Sequence, residues 1–245
     1  MPNYMLTLCY DGTRYKGWQK QGNTDNTIQG RLERLLGEIL GEEIELNGSG
    51  RTDAGAHARQ QVASFRAHTA LSADTILKRL REALPEDIGA VSLCEAPPRF
   101  HARLSCTGKT YVYRVWNSDM PNVFDRRFMH TVTDTLNLEA MQLAARHLIG
   151  THDLSAFCSK RSTKKSAVRT IDGLCIEVVG NELRFTVSGN GFLYNTVRII
   201  VGTLLEVGRG ALSPDAIPDI LASLDRKNAG LTAPAKGLCL WEVRY

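Results

Sequence analysis

The chain has no cysteine pair at CxxC spacing, no HExxH, no GxSxG and no GxxxxGK[ST]. These gaps remove the zinc-site, zinc-protease, serine-hydrolase and Walker-type nucleotide signatures in turn. No apolar run reaches membrane-spanning length, since the best candidate, residues 197–208, is interrupted by Gly202. The first residues, MPNYMLTLCYDG, lack a basic start followed by an apolar stretch, so neither a secretory signal nor a membrane partner is expected. The six cysteines (9, 94, 106, 158, 175 and 239) are scattered and several fall in strand-like runs. Buried free thiols in a reducing cytoplasm are the expectation, with no structural or catalytic metal.

Charge of one sign is also scarce overall, because 30 Lys and Arg against 26 Asp and Glu leave only +4. The balance is uneven along the chain. Residues 1–105 carry 13 of each sign, whereas residues 106–245 carry 17 basic against 13 acidic. Much of the excess lies in SKRSTKKSAVR, residues 159–169, which holds Lys160, Arg161, Lys164, Lys165 and Arg169 without an acid. Such a block is either a solvated loop or a contact for a polyanion, whose counterions clustered cations release.

With 43% hydrophobic and 23% charged residues, the chain reads as globular. Periodicity predicts a strand at 4–10, a helix at 27–40, strands at 43–47 and 61–67, a helix from Ser72 to Leu84 and a strand at 88–95. The second half repeats the order. It has a strand at 109–117, a helix from Asn137 to about Ile149 and a hairpin at 168–189 turning at Gly180-Asn181. A helix at 192–208, a short one at 213–223 and a closing strand at 237–245 complete it. This predicts an α+β fold of two ferredoxin-like β-α-β-β-α-β halves, 1–105 and 106–245. Their antiparallel sheets would adjoin, with a central cleft suited to an extended anionic ligand.

NGSGRTDAGAHARQ, residues 47–60, holds Gly48, Gly50 and Gly55 around Arg51 and Asp53. The glycines permit a tight loop that aims both charges at a ligand, or the segment is a plain connection with its charges in water. It is not a dinucleotide fingerprint, because Asp53 stands where the third glycine of GxGxxG is required.

GRTDAGAHA (50–58) resembles the catalytic signature GRTDxGVHA of the TruA-type tRNA pseudouridine synthases. YDGTRYKGWQKQ (10–21), TIQGRLE (27–33), FHARLSCTGKTYVYRVWN (100–117), GTHDLSAFCS (150–159), NGFLYNTVRIIVGTLLEVG (190–208) and APAKGLCLWEV (233–243) are similar to the family's other blocks, in the family's order. Ala56 stands where the family usually has valine, and Arg59-Gln60 where a glycine often precedes the glutamine.

The resemblance implies that Asp53 is the catalytic aspartate of a uridine-to-pseudouridine isomerase, acting as nucleophile on base or ribose or as a base. It implies that Arg198 pairs with that acid and that Tyr111 packs against the target base. Arg51 would displace the target base or hold its phosphate, or else brace the loop. Arg14, Lys16, Lys20, Lys160, Arg161, Lys164, Lys165 and Arg169 are the RNA-backbone candidates. The implied substrate is the anticodon arm of tRNA at positions 38, 39 and 40, with the base flipped out. The implied protein is a cytoplasmic homodimer that needs no cofactor. A noncatalytic RNA-binding module and an aspartate-dependent enzyme on free nucleosides are the competing readings. A basic loop argues against the second, as does the lack of an evident second carboxylate beside Asp53.

Overall fold

A computed structural model describes residues 1–159 and 166–245. In chain order the elements are β1 (Asn3–Tyr10), α1 (Ile28–Leu40), β2 (Asn47–Gly48), β3 (His57–Arg66), α2 (Ala73–Ala83), β4 (Ile88–Ala96), β5 (Gly108–Asn117) and β6 (His130–Val132). They continue with α3 (Leu138–Arg146), β7 (Gly150–Asp153), β8 (Val168–Val179), β9 (Glu182–Gly189), α4 (Thr196–Gly208), α5 (Ala216–Ser223) and β10 (Leu238–Arg244). The fold is α+β, and it divides into a unit of Met1–Thr107 with Cys239–Tyr245 and a unit of Gly108–Leu238. No helix among the described residues is long and apolar enough to cross a membrane.

In the first unit β1 pairs antiparallel with both β3 and β4, and β10 runs parallel to β3 with Cys239 opposite His57. Alternation decides which face is core. Tyr4, Leu6, Leu8 and Tyr10 are buried on one side of β1, while Met5, Thr7 and Cys9 are half-exposed on the other. The spacing of Ile28, Leu32, Leu35 and Leu36 gives α1 one apolar stripe, and all four are buried. Each such side chain contributes roughly 1.5–3 kcal/mol by leaving water. Thr27 starts α1 by accepting from the Gly30 amide, and Ser72 starts α2 by accepting from the Thr75 amide.

The second unit is built on the β8–β9 hairpin, which turns at Gly180-Asn181, with β5 antiparallel to β9 and β7 antiparallel to β8. Helix α3, capped by Asn137, packs on β8 and α4. Helix α4 is buried nearly throughout, with Arg198 and Glu206 outside its buried set. The segment after α5 crosses α4 so closely that a Cβ at Gly202 would collide with the Leu231 carbonyl oxygen.

Several expectations shift. The strand expected at 43–47 shrinks to Asn47–Gly48, because side chains of α1 take the backbone groups a ladder would use. The Leu46 amide donates to Glu33 Oε1, and the Leu46 carbonyl accepts from Gln29 Nε2. Helix α4 begins at Thr196, since Asn195 sits at φ 66° and cannot continue a helix backward. Helix α3 ends at Arg146, where the chain tightens into i to i+3 bonds at His147 and Leu148. The closing strand, read with the second half, pairs with β3. The six cysteines form no disulfide among the described residues, but only Cys158 is buried. Cys94 and Cys175 are exposed on the open faces of their strands, where a free thiol needs no burial to persist.

Candidate active site

The loop between β2 and β3, residues 49–56, carries Arg51 and Asp53, and its backbone is gripped on several sides. The Ser49 amide donates to the Val62 carbonyl, and the Trp18 amide donates to the Thr52 carbonyl at 3.1 Å. The Gly55 amide reaches the Tyr15 carbonyl, so the block at 10–21 and the Asp53 loop form one local structure. Gly12 is required there, since a Cβ would collide with the Ala56 carbonyl oxygen. Thr52 is buried, Asp53 half-buried and Arg51 exposed. The sequence places a carboxylate on a short loop, and the packing turns that loop into a fixed mount.

Behind the loop lies a set of buried polar side chains that the sequence reading missed. Tyr10 Oη and Thr52 Oγ1 are 2.8 Å apart. Ser49 Oγ donates to Gln61 Oε1 at 2.7 Å, and Gln61 Nε2 donates to the Gly50 carbonyl at 2.9 Å. Burial pushes the Tyr10 phenol well above its ordinary pKa despite hydrogen bonding to Thr52 and Gln61, so it stays neutral at working pH. A signal was present in the sequence: Gln61 is a polar residue on the face of β3 that otherwise holds Ala63 and Phe65.

The basic residues of the first block are partly spoken for. Arg14 donates through Nε and Nη2 to Asp87 Oδ2 at 3.0 and 2.6 Å, although its side chain is 75% exposed. Tyr15 donates to the other oxygen of Asp87. Burial alone would raise the Asp87 pKa, but these hydrogen bonds outweigh it and hold it low. Lys20 pairs with Glu33 at 3.2 Å, and Lys16 is exposed.

In the second unit Tyr111 lies on β5 opposite Val187, almost buried, with the Phe192 ring edge-on at 5.3 Å. Arg198 is carried by α4. Its Nε donates to the Ala233 carbonyl at 2.7 Å and its Nη1 to Asn195 Oδ1 at 3.0 Å. Tyr113 Oη donates to the next carbonyl, Pro234, at 2.8 Å. Arg169 is half-buried, with Nη1 on the carbonyls of Ser166 and Val168. Lys160, Arg161, Lys164 and Lys165 lie outside the described residues. Among the described residues no group of three His, Cys, Asp or Glu side chains is arranged to hold a metal ion. Asp53 thus belongs to one unit, and Tyr111 and Arg198 to the other.

Comparison with known proteins matches residues 144–245 to a family model described as tRNA pseudouridine synthase. The chain is 46% identical over 245 residues to tRNA pseudouridine synthase A 2 of Bacillus cereus (strain ZK / E33L), covering 100% of both. It is 45% identical to tRNA pseudouridine synthase A of Acetivibrio thermocellus and 43% identical to tRNA pseudouridine synthase A 2 of Clostridium perfringens, again covering 100% of each chain. A chain of a Cbf5-Nop10-Gar1 complex aligns over 82% of this chain and 45% of its own, at 15% identity and a TM-score of 0.35, a likeness too slight to carry an argument.

Proposed function

Because this chain belongs to the tRNA pseudouridine synthase family, we propose that it isomerises uridine to pseudouridine in tRNA, with Asp53 as the reacting carboxylate. The observation that carries this reading is the mount of Asp53. It is a half-buried acid inside GRTDAGAHA, on a backbone held from Tyr15, Trp18 and Val62. A group that must meet one atom of a substrate gains most from being fixed before the substrate arrives.

The reaction breaks the N1–C1′ bond and joins C5 to C1′. The C5 hydrogen leaves as a proton and N1 gains one, so atoms and electrons balance without a donor or acceptor. A carboxylate can attack the ring or C1′, or remove a proton from the sugar. Tyr111 is assigned to face the uracil ring, as an aromatic face suits an unstacked base. Arg198 is assigned to keep the acid ionised, and Arg51 to displace the target base or hold its phosphate. Arg14, Lys16, Lys20, Arg169 and the block at 160–165 are assigned to the RNA backbone. Arg14 and Lys20 would do so as partners already shared with an acid.

The finer reading places the target uridines at positions 38, 39 and 40 of the anticodon arm. It takes each unit as a variant of a ferredoxin-like half and the working protein as a cytoplasmic homodimer that touches one tRNA with both subunits. No cofactor is called for by the chemistry.

Tritium release from tRNA labelled at C5 of uridine tests the reading, because forming the new bond expels that hydrogen. Release from tRNA bearing uridine at 38–40, and none from free uridine, is the expected result. Release from free uridine, or from no tRNA at all, overturns it.

A further inference from the structure

The polar set behind the Asp53 loop is unusual in what it spends. Tyr10, Thr52, Gln61 and Ser49 are 5%, 6%, 0% and 0% exposed. Burying a hydroxyl or amide whose hydrogen bonds then fail is destabilising, and an apolar set of the same shape would carry no such risk. Here every link is made. Thr52 bonds Tyr10, and Gln61 accepts from both Ser49 Oγ and the Val62 amide. It completes the set by donating to the Gly50 carbonyl. A fully satisfied buried network fixes one geometry rather than adding much net stability.

What the network grips is informative. Its ends fall on residues 49, 50 and 52. Those positions bracket Arg51 and immediately precede Asp53, so both residues ride on a segment held from behind at three places. Tyr10 and Gln61 themselves come from β1 and β3, the two central strands of the unit, each deeply anchored by its ladder.

We propose that Tyr10 and Gln61, acting through Thr52 and Gly50, are positioning residues for Asp53. They transmit the rigidity of the β1–β3 ladder to the carboxylate and set the rate of the chemical step rather than the affinity for RNA. The inference rests on the reading of Asp53 as the reacting acid. Loss of the Tyr10 hydroxyl frees Thr52 and lets the loop relax. A displacement on the order of 1 Å at a reacting group reduces rate by about a hundredfold.

The test needs a control in which the same atom is lost elsewhere. Tyr245 supplies it: its hydroxyl donates to the Ala102 carbonyl at 2.8 Å within the same unit, and burial likewise pushes its pKa up. Tyr10→Phe, Tyr245→Phe, Thr52→Val, Thr52→Ser and Asp53→Asn are compared by single-turnover tritium release, tRNA binding and thermal unfolding.

Tyr10→Phe and Thr52→Val should lose roughly ten- to a hundredfold in single-turnover rate with tRNA affinity unchanged. Thr52→Ser, which keeps the hydroxyl, should recover most of the rate. Tyr245→Phe, at a residue 44% exposed against 5% for Tyr10, should lower the melting temperature no more than Tyr10→Phe does and leave the rate alone. Equal rates for Tyr10→Phe and Tyr245→Phe, with Asp53→Asn inactive, would overturn the positioning role alone. An active Asp53→Asn would instead overturn the assignment of the acid beneath it. Should Tyr10→Phe not fold, the Thr52 pair decides, since equal rates for Ser and Val contradict the proposal.

Discussion

The segments that carry Asp53 and Arg198 solve one problem in opposite ways. Asp53 sits on a loop, where no hydrogen-bond ladder fixes the backbone, and its neighbours in sequence are gripped by buried side chains from β1 and β3. Arg198 sits in a helix, whose backbone is fixed by its own bonds, and there the side chain is gripped near its tip by Ala233 and Asn195. Each arrangement includes a buried tyrosine hydroxyl one step removed. Tyr10 holds Thr52, and Tyr113 holds Pro234 beside the carbonyl that Arg198 uses. The difference teaches where each site is fragile. A loop-borne group depends on polar contacts to its backbone, whereas a helix-borne one depends on what its long side chain meets.

The largest effect that would break this comparison belongs to Arg198→Lys. A lysine keeps the charge but cannot place fixed N–H groups on both the Ala233 carbonyl and Asn195 Oδ1. We expect about a hundredfold loss in single-turnover rate, the scale of a misplaced reacting group. A rate near wild type would show that charge alone suffices and that the grip on the guanidinium is incidental.

Next come two glycines, Gly12 and Gly202, at which a Cβ would lie 1.8 and 1.7 Å from a carbonyl oxygen. Gly12→Ala would drive a methyl into the Ala56 carbonyl at the end of the Asp53 loop, and Gly202→Ala into the Leu231 carbonyl two residues before Ala233. Each should cost about 1–3 kcal/mol of stability in urea unfolding. Both should also lose activity, since each displaced segment leads to a residue proposed for the site. If Gly202→Ala is destabilised but fully active, the crossing segment has no part in holding Arg198.

A smaller effect separates the two tyrosines. Tyr113→Phe should lower stability by about 1 kcal/mol and reduce the rate less than Tyr10→Phe, because α4 still fixes the backbone of Arg198. The reverse order would mean that the helix is not the main support.

The smallest effect concerns acid stability. Burial alone would raise the pKa of Glu182, but hydrogen bonds from Arg114 and Arg184 outweigh it and bring it from near 4.5 to about 2. A carboxyl held low in the folded state contributes stability above its unfolded pKa and loses it as pH falls. The Glu182 contribution is therefore full above pH 4.5 and fades toward about 2. Asp87 in the other unit is shifted in the same direction. Glu182→Gln should be less stable at neutral pH, and its melting temperature should fall less over that acid window than that of the wild type. Parallel curves for the two proteins would contradict the account.

Much of this was legible in the sequence because it is local. The capping residues Ser72 and Asn137, the apolar stripe of α1 and the Gly180-Asn181 turn all act over a few residues, and each stands where the pattern put it. The motif around Asp53 was legible as well, through its resemblance to a family. What escaped is long-range and polar. The shrinking of β2 follows from Gln29 and Glu33 on α1 reaching Leu46, and periodicity carries no trace of such a bond. Arg14 meets Asp87 across 73 positions, so its partial neutralisation could not be seen from its neighbours. The Tyr10–Gln61 network was half visible, in that a glutamine interrupts an apolar strand face, but its partners become evident only once β1 and β3 are paired.

The central claim is that this protein makes pseudouridine in tRNA through Asp53. Its most direct test is release of tritium from C5-labelled tRNA by wild type and by Asp53→Asn, with tRNA binding measured alongside. The account predicts release by wild type and a loss of at least about 10²–10⁴-fold, the range set by removing a reacting acid or base, with binding retained in the variant. Equal release by the two proteins would contradict it, and would move the reaction to another group.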